Sequence, residues 1–157
     1  MTHLIASRRR LLAAALLAPL SAPLMAQGAP VLEVWKTPSC GCCGVWAERM
    51  RQAGFSLRLH DVADTAAVRA RAGLAPRYAS CHTALIGGYA IEGHVPAEDI
   101  QRLLRERPRA VGLAVPGMPI GSPGMDDPAY GGRRDAYAVL LVQADGGASV
   151  WRSIAGA

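Results

Sequence analysis

The spacing of apolar residues predicts strands and helices in the order β-α-β-α-β-β-α. Strand-like runs occupy 31–35, 55–60, 82–86 and 89–92, while apolar positions recur every three or four residues in 42–53, 64–73 and 96–107. A cysteine motif lies where the first strand meets the first helix, and C-x-x-C at such a corner is typical of thioredoxin. We therefore predict an α/β, thioredoxin-like domain over residues 31–108.

The C-terminal part of the chain has a different pattern. Glycine and proline are frequent between 112 and 132, which predicts a long loop. Two strand-like runs then flank Asp145-Gly146-Gly147, a sequence typical of a hairpin turn. The predicted segments are a Gly/Pro-rich loop at 109–132 and a C-terminal β-hairpin at 133–157, with strands at 136–143 and 148–154.

The first 26 residues have the order of an export signal. A basic cluster at 8–10 precedes an apolar run at 11–19 and small residues up to Ala26. The stretch Ser7-Arg-Arg-Arg-Leu-Leu12 resembles the twin-arginine export motif. A membrane anchor needs about 20 apolar residues, and this run is shorter. We predict cleavage near Ala26 and a mature periplasmic protein with no membrane span.

Composition and charge narrow the function classes. With 51% hydrophobic and 18% charged residues, the chain has a globular composition rather than a disordered one. The formal net charge is +5, but three of the basic residues lie in the predicted signal, and without them the charge falls to about +2. This small excess lacks the electrostatic footprint of nucleic-acid binding, so no nucleic-acid partner is expected.

The four cysteines, Cys40, Cys42, Cys43 and Cys81, all lie outside the predicted signal. Two structural disulfides explain them poorly, because Cys42 and Cys43 are adjacent and a Cys40–Cys43 bridge closes too small a loop to stabilise much. A helix start favours the thiolate, which serves as a nucleophile or as a soft metal ligand. The spacings typical of zinc and iron–sulfur sites are missing. Cu(I) needs only two or three thiolates, and thiolates can bridge several ions.

The expected topology brings Cys81 to the same corner. In thioredoxin-like folds the loop before the third strand lies against the C-x-x-C motif and normally carries a cis-proline. Here the corresponding segment, 79–83, has Cys81 and no proline at that place. We therefore predict one site containing all four thiols. His82, which borders Cys81, is either a ligand, a proton carrier or a spectator.

Other soft or titratable side chains are weaker candidates. Met118 and Met125 lie in the Gly/Pro loop, where their thioethers can bind Cu(I) or simply pack over a core. His94 lies in the turn before the last predicted helix, where we expect a capping or solvent-facing role. His60 is expected to be structural or at the surface, and Met50 in the core.

Four stretches between residues 31 and 126 together carry a family resemblance: Thr37-Pro-Ser-Cys-Gly-Cys-Cys43, Ser80-Cys-His-Thr83, Tyr89-Ala-Ile-Glu-Gly-His-Val-Pro96, and Gly112-Leu-Ala-Val-Pro-Gly-Met-Pro119 with Gly121-Ser-Pro-Gly-Met125. They resemble the CopG-like family of small exported metal-binding proteins. The resemblance implies a thioredoxin-like fold and copper handling and resistance in the periplasm. It also implies copper on Cys40, Cys42, Cys43 and Cys81. The hairpin at 133–157 lies outside these motifs.

Two functions from different classes follow from the sequence. The first is periplasmic copper binding, with Cu(I) favoured and several ions allowed, for sequestration, redox handling or transfer to other copper-handling proteins. The second is a periplasmic thiol–disulfide oxidoreductase with Cys40 as nucleophile and Cys43 as resolving thiol. Cys42 and Cys81 favour the first, because a reductase does not need them. A structural protein with two disulfides is the third alternative. The enzyme class that the sequence allows is a copper or thiol oxidoreductase.

Overall fold

The described part of the chain, residues 30–157 of the computed structural model, contains a seven-stranded sheet, three α-helices and two 3₁₀-helices at Pro76–Tyr78 and Pro128–Tyr130. The predicted export signal at 1–26 lies outside the described residues. No helix within residues 30–157 is long and apolar enough to cross a membrane. The strands are β1 (Leu32–Lys36), β2 (Leu57–Asp61), β3 (His82–Ile86), β4 (Tyr89–Glu92), β5 (Gly112–Ala114), β6 (Tyr137–Val142) and β7 (Ala148–Ile154). The helices are α1 (Gly41–Gln52), α2 (Ala66–Arg71) and α3 (Ala97–Glu106).

The strand order in the sheet is β2-β1-β3-β4-β5-β6-β7. β1 runs parallel to β2, and β4 runs parallel to β5, whereas the other neighbouring pairs are antiparallel. The two-residue turn at 87–88 joins β3 to β4 and pairs Ile86 with Tyr89 and Thr83 with Glu92. This register determines which residues face each other beyond the ends of the two strands.

The apolar face of α1 is buried in the main core. Trp46 and Ala47 are fully buried there, and Met50 is 1% exposed, in agreement with its predicted core position. The indole nitrogen of Trp46 donates a hydrogen bond of 2.9 Å to the carbonyl of Val95, which satisfies its only donor. The same core contains Leu32, Val34, Ala84, Ile86, Ile91, Ile100, Leu103 and Leu113. Packing of α1 therefore places the N-terminal end of this helix, which carries three cysteines, beside the segment that precedes β3.

The short strand β5 lies inside the segment that the sequence predicts to be loop. Its three residues are all buried, because β4 and β6 pair with it on its two sides. A Cβ at Gly112 would lie 1.8 Å from the carbonyl oxygen of Ala90, so the close approach of β5 to β4 requires glycine here. The glycine that suggests a loop in the sequence is thus the residue that allows the strand to pair. Through β5, the predicted C-terminal hairpin becomes part of the main sheet.

The hairpin formed by β6 and β7 also contacts the rest of the molecule through its side chains. Arg152 on β7 makes ion pairs of 2.9 Å with Glu98 and 2.5 Å with Asp99 of α3. At the turn of the hairpin, the carbonyl of Gly146 accepts a hydrogen bond of 2.8 Å from the hydroxyl of Tyr78. The turn of the hairpin therefore rests against the segment that leads to Cys81.

We expect Gly112→Ala to destabilise the protein by about 3 kcal/mol or more, because the added methyl group overlaps the Ala90 carbonyl and overpacks the sheet. Urea unfolding of the purified protein measures this loss. Gly44→Ala is the matched control: no atom lies within 4 Å of its added Cβ, and it replaces a helical glycine, so it should stabilise by about 0.5–1 kcal/mol. Equal stability of the two variants would contradict the close approach of β4 and β5.

Candidate functional site

Three of the four cysteines lie at the N-terminal end of α1. Cys40 is the N-cap residue in extended conformation, and Cys42 and Cys43 lie in the first turn. Cys40 and Cys42 are partly exposed, whereas Cys43 is fully buried. The free amide groups and the dipole of a helix N-terminus favour a thiolate at this place.

Cys40 and Cys43 form a disulfide, and Cys42 and Cys81 are free. Of the two structural disulfides weighed in the sequence analysis, the described residues thus contain one bridge. One helical turn brings the two Cα atoms to 5.4 Å, which lies within the range of natural disulfides. The bridge closes a very short loop and therefore adds little stability.

The structure brings Cys81 to the other three cysteines. The Cys42 and Cys81 sulfur atoms lie 3.9 Å apart, and those of Cys40 and Cys42 lie 3.5 Å apart. All four sulfur atoms lie within 4.8 Å of one another. Residues 39 positions apart along the chain thus form one cluster, hereafter the thiol cluster: Cys40, Cys42, Cys43 and Cys81.

His94 also reaches the thiol cluster, contrary to the expected capping or solvent-facing role. It is fully buried, and its Nε2 lies 2.9 Å from the sulfur of Cys81. Its Nδ1 lies 2.7 Å from the carbonyl oxygen of Pro123, which can only accept, so Nδ1 carries the proton and donates. Burial lowers the pKa of His94 and favours the neutral ring, which leaves Nε2 unprotonated, with its lone pair facing Cys81. Histidines that bind metals usually have this arrangement.

His82 is fully buried beneath Cys81. Its Nδ1 lies 3.4 Å from the sulfur of Cys81, and its ring packs against Trp46 with 4.2 Å between ring centroids. Its Nε2 is buried without a hydrogen-bond partner among the described residues. Burial, with the neighbouring His94, lowers the pKa of His82 to about 3, so this ring is neutral at ordinary pH. Cys81, His82 and His94 offer three donor atoms within 4.8 Å of one another.

Burial also determines the state of the Cys81 thiol. The loss of solvent, followed by the effect of the neighbouring Cys42 thiol, raises the pKa of Cys81 to about 12. In the metal-free protein Cys81 therefore keeps its proton. A soft cation that binds this sulfur has to displace that proton, and ligand deprotonation of this kind is a general feature of metal binding to thiols.

The Gly/Pro-rich loop covers part of the thiol cluster. Gly124 lies on the first turn of α1: a Cβ at this position would be 2.7 Å from the carbonyl of Cys42, and its φ is +92°, so both space and backbone favour glycine. Asp126 further holds the loop to α1 through a 2.6 Å ion pair with Arg49. Met118 is 51% exposed, and the sulfur of Met125 lies 3.9 Å from the Tyr130 hydroxyl. A ligand role for these two methionines stays a prediction.

His60 lies outside this region of the molecule. It belongs to β2, at one edge of the sheet, and its ring stacks on Trp35 with 4.8 Å between ring centroids. This position agrees with the structural or surface role expected from the sequence.

Known proteins resemble this chain in sequence and in structure. Residues 78–125, which include Cys81, His94 and the loop up to Met125, match a family described as "Protein of unknown function, DUF411". No curated protein sequence matches the chain significantly. A solved structure described as copper resistance protein CopG, form 2, is 44% identical, with a TM-score of 0.75 over 81% of this chain and 99% of that chain. A structure described as form 1 is 45% identical, with a TM-score of 0.73 over 80% and 98% of the two chains.

Proposed function

Because this chain belongs to the CopG-like DUF411 family, we propose that it binds copper through the thiol cluster. The observation that carries the proposal is the convergence of four cysteine sulfur atoms within 4.8 Å of one another. Sulfur ligands of this kind select soft cations, and Cu(I) needs fewer of them than zinc or an iron–sulfur cluster does. The copper-resistance description of the two similar structures supports copper as the ion.

The donor set fits Cu(I) as a bound cargo. The free thiols of Cys42 and Cys81 supply two sulfur donors, and Nε2 of His94 supplies an imidazole donor beside them. Reduction of the Cys40–Cys43 bridge adds two more sulfur donors, enough for bridging thiolates and more than one ion. We keep His82, Met118 and Met125 as further candidate ligands. Sequestration, transfer to another copper-handling protein and redox handling all start from this bound state.

The redox state of the bridge should control copper binding. Opening the Cys40–Cys43 bridge takes two electrons and two protons, which an external dithiol supplies while it is itself oxidised to a disulfide. We expect the reduced protein to bind Cu(I) with higher capacity and affinity than the disulfide form, because twice as many thiols are then available. Anaerobic competition against a chromophoric Cu(I) chelator, run on both forms, measures the difference. Identical binding by the two forms would remove Cys40 and Cys43 from the ligand set.

A thiol–disulfide oxidoreductase is the second candidate, and the Cys40–Cys43 disulfide is the observation that favours it. Cys40 is partly exposed and accessible to a substrate, while Cys43 is buried and suited to resolve a mixed disulfide. The Cys40 thiolate of the reduced protein would attack a substrate disulfide, forming a mixed disulfide and releasing the first substrate thiolate. Cys43 would then attack the Cys40 sulfur and release the second substrate thiolate, which leaves the substrate reduced and the Cys40–Cys43 disulfide formed. This activity needs neither Cys42 nor Cys81.

We also propose a thioredoxin-like arrangement and a periplasmic location. The order β2-β1-β3-β4, with β3 antiparallel to β1 and the cysteines at the junction of β1 and α1, supports the arrangement. The order of basic, apolar and small residues at 1–26 supports export, with cleavage near Ala26. An oxidising compartment also accommodates the Cys40–Cys43 disulfide.

A further inference from the structure

We propose that the buried ion pair between Arg69 and Glu92 positions Cys81 within the thiol cluster; this inference rests on the proposed copper-binding function. Glu92 is fully buried at the end of β4, and the Arg69 side chain on α2 is only 10% exposed. The Nε of Arg69 donates to Oε1 of Glu92 over 2.8 Å. The pair lies next to the segment that carries Cys81 and has no part in the copper chemistry proposed above.

The ion pair holds both backbone polar groups of Ser80, the residue before Cys81. The amide of Ser80 donates to Oε1 of Glu92 over 2.8 Å, and the carbonyl of Ser80 accepts from Nη2 of Arg69 over 3.2 Å. On the other side of Cys81, the hydroxyl of Thr83 donates to Oε2 of Glu92 over 2.6 Å. One carboxylate thus contacts the chain just before and just after Cys81.

The position of Cys81 needs such contacts because the sheet does not supply them. β3 begins at His82, and its pairing with β1 ends at the match of Lys36 with His82. Cys81 lies one residue beyond this ladder. Besides the bonds to Arg69 and Glu92, the Ser80 hydroxyl donates to the carbonyl of Gly117, and the Cys43 sulfur lies 3.6 Å from the carbonyl of Cys81. Of these groups, only the ion pair binds both the amide and the carbonyl of Ser80, and the carbonyl belongs to the Ser80–Cys81 peptide that directs the Cys81 sulfur towards Cys42.

The chemistry of Arg69 suits this positioning role. Its planar guanidinium bonds three groups at once: Glu92, the carbonyl of Ser80, and the hydroxyl of Thr65 over 2.8 Å. A buried ion pair stabilises a fold no better than well-packed apolar residues of similar volume, since both charges lose their solvent. The pair does, however, fix the orientation of the polar groups that it bonds. Groups that orient metal ligands typically contribute about 10- to 100-fold in metal affinity.

Two variants test the role of the pair. Arg69→Lys keeps the charge but cannot bond Glu92, Ser80 and Thr65 together. The double variant Arg69→Met with Glu92→Leu removes both charges together, which avoids the cost of burying one unpaired charge. We expect each variant to lower Cu(I) affinity by about tenfold or more in chelator competition, and copper X-ray absorption to count fewer sulfur neighbours per ion. Arg58→Lys, in the exposed ion pair with Glu33, is the control and should leave both readouts unchanged.

The same variants in a Cys81→Ser background separate positioning from general destabilisation. If the pair acts through Cys81, Arg69→Lys should cause no further loss of Cu(I) affinity once Cys81 is gone. An equal loss in both backgrounds, or parental affinity for Arg69→Lys with Cys81 present, would overturn the inference. If the double variant shows no cooperative unfolding, it has lost its fold, and the binding of Arg69→Lys alone then tests the inference. Parental affinity for Cys81→Ser itself would instead refute Cys81 as a ligand and thus the proposed four-sulfur site.

Discussion

Cys81→Ser should lower the Cu(I) affinity of the reduced protein by at least about 10- to 100-fold, the range seen when groups that merely orient metal ligands are lost. The serine oxygen replaces a soft sulfur that lies 3.9 Å from Cys42 and 2.9 Å from Nε2 of His94 and that becomes anionic when a cation displaces its proton. Cys42→Ser should cause a loss of similar size, because each variant removes one of the four sulfur donors of the thiol cluster. Competition against a chromophoric chelator without oxygen measures both losses.

The four single cysteine variants distinguish the two candidate functions. Parental Cu(I) binding by Cys81→Ser, together with failure of Cys42→Ser, would contradict a shared site. An oxidoreductase gives a different pattern: Cys40→Ser and Cys43→Ser abolish disulfide exchange, while Cys42→Ser and Cys81→Ser are tolerated. Unchanged copper binding in Cys42→Ser and Cys81→Ser, together with loss of disulfide exchange in Cys40→Ser and Cys43→Ser, would favour the oxidoreductase function over copper binding. Urea unfolding of each variant confirms that the fold is retained.

The regular elements could be predicted from the sequence because their signals are local. Apolar spacing predicts a helix at 42–53, and α1 runs over Gly41–Gln52. β5 has no comparable local signal, because its three residues form a strand only between β4 and β6. The close approach of Gly112 to Ala90 is a tertiary contact. Composition alone does not reveal it, and the frequent glycines and prolines of this segment predict a loop instead.

The position of His94 beside Cys81 could be predicted from the sequence by counting residues along the β3–β4 hairpin. A two-residue turn at 87–88 pairs Ile86 with Tyr89, and counting outward along the two strands places residue 94 opposite residue 81. The hydrogen bond of 2.9 Å from the amide of Gly93 to the carbonyl of His82 continues this register beyond the ladder. A histidine beside Cys81 is thus a consequence of the hairpin geometry. The contact between His94 and the Pro123 carbonyl could not be predicted in this way, because the Gly/Pro-rich loop has no strand register from which to count.

The pairing of the cysteines depends on a different kind of information. Sequence spacing allows a bridge between Cys40 and Cys43, but loop-closure entropy gives such a short bridge little stabilising value. The structure contains it because the first turn of α1 brings the two residues within bonding range. Whether a thiol pair is oxidised depends on the reduction potential relative to the compartment, and spacing does not encode this quantity. The thiol cluster was therefore predictable as a location, and its disulfide was not.

Replacement of His94 by asparagine should weaken Cu(I) binding by about tenfold or more while leaving the Gly/Pro-rich loop in place. The asparagine amide nitrogen can occupy the position of Nδ1 and still donate to the Pro123 carbonyl, but nothing replaces Nε2 beside Cys81. His94→Gln is the complementary variant, because its amide reaches towards the Nε2 position and leaves Pro123 without a donor. Chelator competition measures the affinity, and hydrogen exchange of the amides at 121, 122 and 124–126 measures how firmly the loop is held.

The two variants separate a ligand from a loop anchor. If Nε2 of His94 binds copper, both variants lose Cu(I) affinity, since an amide is a poor ligand for a soft cation, and only His94→Gln increases exchange in the loop. If His94 acts only by anchoring Pro123, His94→Asn binds copper like the parent, and the loss is confined to His94→Gln. His60→Asn is the matched control: this ring stacks on Trp35 at the edge of the sheet, so its loss should change neither copper affinity nor loop exchange. A parental copper affinity in His94→Asn would therefore remove the imidazole from the ligand set and leave the site to the sulfur atoms.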